Sequence, residues 1–212
     1  MNRGRPRPQP RANERGFTLL ELLIALTIIA ALLAIAFGGL RVGLAAWRQG
    51  EDRAEAHQHV RGVTFALARV IAGAYPYMAS RSEVPDPEIL FKGEEHRLEV
   101  VTHSPPGAFA VPIAFAAVVI ELAEGERSGL VVKQRAMPNR DPFTEAVAVL
   151  HDPNVTEITF GYLDKDGAWQ TAWDPAESKS LPRAIRLSMT SNIGGRTEAL
   201  PPLTISLHVG TP

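Results

Sequence analysis

A chain of 212 residues has room for about one domain with a real core, which leaves no space for a second, catalytic domain. Its formal net charge of -1 and pI near 6.6 provide no concentrated basic face for phosphate, so nucleic acid is not an expected partner. The complete lack of cysteine excludes disulfides, iron-sulfur clusters and thiolate zinc sites, and leaves the redox compartment open.

Residues 1 to 16 carry Arg3, Arg5, Arg7, Arg11 and Arg15 against Glu14 alone. Rich in Arg, Pro and Gln and without an apolar face, they read as a disordered leader. From Phe17 to Leu40 there is a single ionisable side chain, Glu21, and the run exceeds the roughly 20 residues that a transmembrane helix needs. Cationic flanks resist translocation, so the N-terminus is expected in the cytoplasm and everything after residue 40 beyond the membrane. No proline interrupts the chain from there to Pro76, and Val60, Val63, Leu67, Val70, Ile71 and Ala74 recur at the spacing of one helical face. One helix is therefore expected from about Phe17 to about Ala74. Residues 17-40 would span the membrane, and 41-75 would pack a single apolar stripe on a globular core. Arg48, Glu51, Asp52, Arg53, Glu55, His57 and Arg61 would keep the other faces of that second half in water.

After Tyr75 short apolar runs alternate with proline and glycine, the pattern of an antiparallel β domain over residues 76-212. Strands are expected near Ile89 to Phe91, Arg97 to His103, Ile113 to Leu122, Leu130 to Arg135, Ala146 to His151, Val155 to Leu163, Trp169 to Trp173, Pro182 to Thr190 and Leu203 to Val209. Asp166-Gly167 reads as a two-residue hairpin turn, because both residues accept positive φ. Ser80 to Pro87 and Asn192 to Pro202, rich in turn formers, read as exposed loops. The fold class is α+β: a long N-terminal helix on antiparallel sheet.

Few side-chain constellations suggest chemistry. Asp164-Lys165-Asp166-Gly167 begins like a calcium loop, but Ala168 to Pro175 lack the remaining oxygen ligands, and a turn is the simpler reading. His57 and His59 lie two apart on a helix, where a zinc pair would lie four apart, so both are expected to be solvated. Glu94, Glu95 and His96 fall in a polar link, where exposed surface is the default. No Gly-x-Ser-x-Gly elbow, phosphate loop or cysteine nucleophile is present, so neither catalysis, a cofactor nor a metal is expected. Trp169 and Trp173, four apart on a regular strand, would face the same side. They would either line a binding groove or, by default, pack beneath the hairpin.

Glu21 demands an explanation, since a carboxylate inside an apolar span costs about 2.5-3.5 kcal/mol on insertion scales and needs a compensating partner. An ordinary signal peptide cut after Ala34-Ile35-Ala36 would supply none. The stretch Arg15-Gly16-Phe17-Thr18-Leu19-Leu20-Glu21, followed by the apolar run to Leu40, closely resembles the processing site of type IV pilins and type II secretion pseudopilins. The resemblance implies that a prepilin peptidase cuts between Gly16 and Phe17 on the cytoplasmic side and that Phe17 becomes the N-methylated terminus. It also implies that Glu21, fifth in the mature chain, pairs with the terminal amine of a neighbouring subunit. A side-chain-free residue at the scissile bond suits a cleft that reads extended backbone.

Val155 to Leu163, Asp166-Gly167, Trp169, Trp173 and Leu181-Pro182-Arg183-Ala184-Ile185-Arg186-Leu187 resemble the C-terminal region of the J-type minor pseudopilin. Glu21 argues against the K-type, which usually lacks that glutamate, and length and the missing calcium loop argue against the G-type. Membership would imply a single-pass inner-membrane protein with a periplasmic domain. Its partners would be the I-, K- and H-type minor pseudopilins, the prepilin peptidase and the inner-membrane secretion platform, and its role would be to start a short filament that supports export of folded proteins. A minor pilin of a type IV pilus would share the leader and Glu21, and a membrane-anchored periplasmic binding protein would need a deep groove at Trp169 and Trp173.

Overall fold

The computed structural model describes residues 18-79, 87-125 and 128-207. The expected leader, the Gly16-Phe17 junction and most of the expected loop from Ser80 to Pro87 lie outside those residues. The chain divides into two units, Met1-Glu51 and Asp52-Pro212. A single helix, α1 (Leu19-Ala72), contributes residues to both.

In the first unit every described residue is exposed. Between Leu19 and Leu40, thirteen Leu, Ile and Phe side chains stand open, from Ile24 at 49% to Leu19 at 84%. At roughly 1.5-3 kcal/mol for each such side chain moved out of water, the segment forgoes on the order of 20-40 kcal/mol in aqueous solution. That magnitude requires an apolar surround, and the helix is long and apolar enough to cross a membrane. Thr27 satisfies its own hydroxyl by donating to the Ile24 carbonyl at 2.7 Å.

The second unit is built on the far end of the same helix. Val60, Val63, Leu67, Val70, Ile71 and Ala74 are all buried, the six positions that helical spacing selects. The helix stops because Gly73 must pass close to the sheet. A Cβ there would lie 2.6 Å from Thr102 Oγ1 and 2.9 Å from Ser104 Cβ. Two backbone bonds then fasten the exit: Tyr75 N-H donates to Val101 O at 2.8 Å, and His103 N-H donates to Gly73 O at 3.1 Å.

Two antiparallel five-stranded sheets follow. The first is a meander of β3 (Phe91-Gly93), β4 (Arg97-Thr102), β5 (Ala116-Ala123), β6 (Gly129-Ala136) and β7 (Val147-Asp152) in that spatial order. A short hairpin of β1 (Met78-Ala79) and β2 (Glu88-Ile89) precedes it. The second sheet contains β8 (Val155-Leu163), β9 (Trp169-Gln170), β10 (Ala184-Ile193), β11 (Arg196-Ala199) and β12 (Leu203-Ser206), with the short helix α2 (Pro175-Ser178) between β9 and β10. Its order is β11-β10-β8-β9, and β12 pairs with the first half of β10 while β11 pairs with the second half.

One hydrophobic cluster joins the helix stripe to Leu98, Val100, Val118 and Ile120 of the first sheet and to Ile158, Phe160, Tyr162, Ile185 and Leu187 of the second. The alternate residues of the first sheet are covered too: Val101, Ala117 and Val119 pack with Leu90, Met137 and Phe143 on the opposite face. Burial on both faces explains why Ala116 to Ile120 reads as an unbroken apolar run.

Several strands depart from their expected limits for identifiable reasons. The strand expected from Ile113 begins at Ala116, because β4 ends at Thr102, the partner of Ala116, and offers no ladder further back. The expected Ile89 to Phe91 strand breaks at Leu90 into β2 and β3. The expected Asn192 to Pro202 loop contains β11, turned by Gly194 at φ 57° and Gly195 at φ 80°. That pair of glycines is a two-residue hairpin signal the loop reading passes over. Conversely, the turn expected at Asp166-Gly167 is a longer connection from Asp164 to Ala168, in which only Gly167 has positive φ.

Candidate functional site

At the membrane end, Thr18 precedes the helix and Glu21 sits in its first turn. The Glu21 N-H donates to Thr18 Oγ1 at 3.2 Å and to Thr18 O at 3.1 Å. Thr-x-x-Glu is the capping-box pattern, so Thr18 starts the helix and the positive end of the helix dipole favours a carboxylate at position 21. Sequence reading missed this local role for Glu21. It does not complete the pairing, for the carboxylate itself has no partner among the described residues. Gly16 and Phe17 lie outside them.

In the second unit, a seam between the two sheets fixes the geometry. Gly93 and Trp173 exchange backbone bonds, Gly93 N-H to Trp173 O at 2.9 Å and Trp173 N-H to Gly93 O at 2.8 Å. Beside them Tyr162 Oη donates to Glu94 O at 2.8 Å, Phe160 N-H donates to Glu95 O at 2.8 Å, and His96 Nδ1 bonds Ile158 O at 2.9 Å. The Glu94, Glu95 and His96 link, expected to be plain surface, thus joins the sheets through its backbone and one imidazole. Burial pushes the Tyr162 phenol well above its ordinary pKa, with the nearby Glu94 charge adding to it. Lys92 is raised by its hydrogen bond to Glu94 at 2.6 Å.

The two tryptophans part company. β9 ends at Gln170, so the strand periodicity that would align Trp169 with Trp173 does not hold. Trp173 is buried, its Nε1 donating to Ser180 O at 2.8 Å, whereas Trp169 is 38% exposed and lies under the Arg186 guanidinium at 3.9 Å. Core packing describes Trp173 and not Trp169, and the pair lines no common groove. The cleft beside Trp173 is lined by charges of both signs, among them Lys92, Lys165, Arg183, Asp166, Asp174 and Glu177.

Asp164 is engaged as a turn former. Its Oδ1 accepts from Ala168 N-H at 2.8 Å and Asp166 N-H at 2.9 Å, and its Oδ2 accepts from the Gln170 amide at 3.0 Å. Those bonds, Ala168 first, hold its carboxyl below the ordinary range. Among the described residues no cluster of three His, Asp or Glu is arranged to hold a metal ion. His59, expected to be solvated, is exposed and in addition bonds the buried Asp152 carboxylate, Nε2 to Oδ2 at 2.9 Å, which pins the helix to the β7-β8 turn. No sequence pattern signals that contact, which spans 93 positions.

What sets this chain's class is therefore an exposed apolar helix with a glutamate in its first turn, followed by a domain of two antiparallel sheets. The family model for type II secretion system (T2SS), protein J, matches residues 38-201. The chain belongs to the type II secretion system protein J family. The prokaryotic N-terminal methylation motif matches residues 11-37, a span that contains Gly16, Phe17 and Glu21. The type II secretion system protein J of Xanthomonas campestris pv. campestris is similar, at 27% identity over 94% of each chain. The protein is thus a minor pseudopilin of type II secretion with the α+β pilin-like arrangement, and the type IV pilus alternative is not favoured. Members of this family are structural subunits and not enzymes. Membership brings interaction with other pseudopilins and with the secretion machinery, and the apolar helix that begins within the motif serves as a membrane anchor.

Proposed function

We propose that this J-type pseudopilin is cut between Gly16 and Phe17 by the prepilin peptidase, methylated at Phe17, and assembled at the tip of the pseudopilus. Residues 17-40 span the inner membrane, residues 1-16 remain cytoplasmic until removed, and the amphipathic stretch 41-75 and the β domain 76-212 lie in the periplasm. There it joins the I-, K- and H-type minor pseudopilins to start the filament above the inner-membrane platform. Its work is assembly, and no residue catalyses a reaction.

The observation that carries this reading is Glu21: a carboxylate without a partner among the described residues, in the first turn of an otherwise apolar helix end. Capping explains why a glutamate is tolerated next to Thr18. A neighbour's Phe17 amine explains how its charge is neutralised when the helix leaves lipid for the filament. The test has two parts. N-terminal mass spectrometry should find N-methylated Phe17, and a start at Phe37 would overturn the filament reading. Glu21→Leu should leave insertion and cutting intact while reducing cross-linking to the I- and K-type partners and secretion, because an amine left in apolar surroundings without its carboxylate costs several kcal/mol. Wild-type cross-linking and secretion would reduce Glu21 to its capping role.

A further inference from the structure

The side of α1 that faces away from the sheets carries a pattern of its own. Phe65 lies two positions from the buried Val63 and two from the buried Leu67, so the helical turn sets it on the opposite side, and it is 71% exposed. Gln58, Arg61, Gly62 and Arg69 share that side at helical spacing and are exposed with it. Arg61 and Arg69 thus flank Phe65 one turn before and one turn after, and neither guanidinium has a partner among the described residues. Glu55 is the one acidic residue between Arg53 and Ala72, and it stands too far along the helix to reach either of them. Gly62 is the second anomaly. A glycine inside a helix weakens it relative to alanine, because the bare backbone has more freedom to lose. A Cβ at Gly62 would meet nothing within 4 Å, so no contact in the described chain needs that side chain to be absent. A neighbour's backbone seated close against the helix does.

We propose that Gln58, Arg61, Gly62, Phe65 and Arg69 form the seat for an acidic helix of a different subunit. That helix crosses closest at Gly62, receives the Phe65 ring between its side chains and sets a carboxylate opposite each arginine. The two carboxylates stand about 12 Å apart along the axis, the rise across the eight positions from Arg61 to Arg69. A second copy of this chain does not fit the seat. Two such faces centred on Phe65 oppose arginine to arginine whether the helices run parallel or antiparallel, and like charges so placed repel. An anionic membrane surface would attract the arginines and the ring, but it gains nothing from a missing Cβ at Gly62. The seat rests on the reading of the chain as a subunit assembled with other minor pseudopilins, and it adds where on the helix one of them docks and what chemistry that partner carries.

The test uses the full chain in membranes that also hold the I-, K- and H-type minor pseudopilins, with the photo-cross-linking residue benzoylphenylalanine in place of Gln58. Mass spectrometry identifies what the chain is joined to. The expected product joins it to one of the other pseudopilins, through a peptide that carries carboxylates. Gly62→Ala is the decisive variant. It should resist chemical denaturation as well as wild type or better, because alanine suits the helix, while the cross-linked product falls about tenfold, the size expected of a methyl forced into a packed contact. Phe65→Ala, and Arg61→Glu combined with Arg69→Glu, should lower the same product without changing the denaturation midpoint by a comparable amount. A product unchanged in all three variants, a product joining two copies of this chain, a phospholipid adduct alone, or a Gly62→Ala chain less stable than wild type would overturn the seat. If Gln58 captures no pseudopilin while the I- and K-type partners still co-purify with the chain, the seat alone is wrong. Loss of both signals from the unaltered chain overturns the assembly reading with it.

Discussion

Substituting Gly93→Ala tests the seam between the sheets. A Cβ at that position would lie 2.6 Å from Tyr162 Cε1 and 2.8 Å from Tyr162 Oη, closer than any real side-chain contact. Neither partner can yield easily. Gly93 is held by two backbone bonds to Trp173, and Tyr162 is fully buried with its hydroxyl bonded to Glu94 O and its ring edge-on to Phe91 at 6.2 Å. Overpacking a rigid core costs about 1-3 kcal/mol. Displacing the ring also breaks the Glu94 bond and leaves a poorly satisfied carbonyl, a further cost of about 1 kcal/mol or more. The combined loss is about 3 kcal/mol, which for a domain of this size lowers Tm by roughly 6-12 °C. Thermal unfolding of the fragment Arg48 to Pro212 measures it, with Gly161→Ala as control, since a Cβ there meets nothing nearer than 3.6 Å. In a Tyr162→Leu background the Gly93→Ala penalty should shrink, because the clashing ring is gone. Equal Tm for wild type and Gly93→Ala, or a penalty unchanged by Tyr162→Leu, would refute the steric argument.

His59→Ala should cost about 1-2 kcal/mol by chemical denaturation, because the 2% exposed Asp152 carboxylate is then left with the Asn154 N-H at 3.0 Å as its remaining donor among the described residues; a neutral result would mean water replaces the imidazole. The Asp164 carboxyl is depressed in the folded chain, so its contribution to the β8-β9 turn is full above the unfolded value of about 3.9 and fades as pH falls through the folded one. NMR shifts of the Ala168 amide should follow that titration in wild type and show no such step in Asp164→Asn. The fragment Arg48 to Pro212 should be soluble, while one starting after Ala74 should aggregate, because both sheets lose the stripe from Val60 to Ala74. Comparable solubility of the two would remove the helix from its scaffold role.

The features legible in sequence are those with a local period or a local cost. The helix stripe repeats every three to four residues, and all six of its members are buried. Ile158 to Leu163 alternates between buried and half-buried positions, and Val155 to Leu163 is a strand with the expected limits. Glu21 is visible because a charge inside an apolar run is an anomaly on its face. Contacts formed across the fold leave no such trace. The Gly93-Trp173 exchange and the His59-Asp152 bond depend on where two sheets and a helix meet. Asn192 to Pro202 reads as a loop when its turn formers are weighed alone, although Gly194-Gly195 sits between two segments able to pair. Trp169 and Trp173 align only on a continuous strand, and theirs stops at Gln170.

The two sheets differ in how far the chain must travel to close them. Each neighbouring pair in the first is also adjacent in sequence, so that sheet can zip up hairpin by hairpin as the chain emerges from its N-terminal end. The second is completed only when β12, Leu203-Ser206, reaches the first half of β10. Until then Ile185 and Leu187 have an unlaced edge beside them, and the exposed strand is a target for wrong partners. A domain that closes on the last of its described strands tolerates little trimming or tagging close to Leu203, and it must be kept from premature association until that strand is in place.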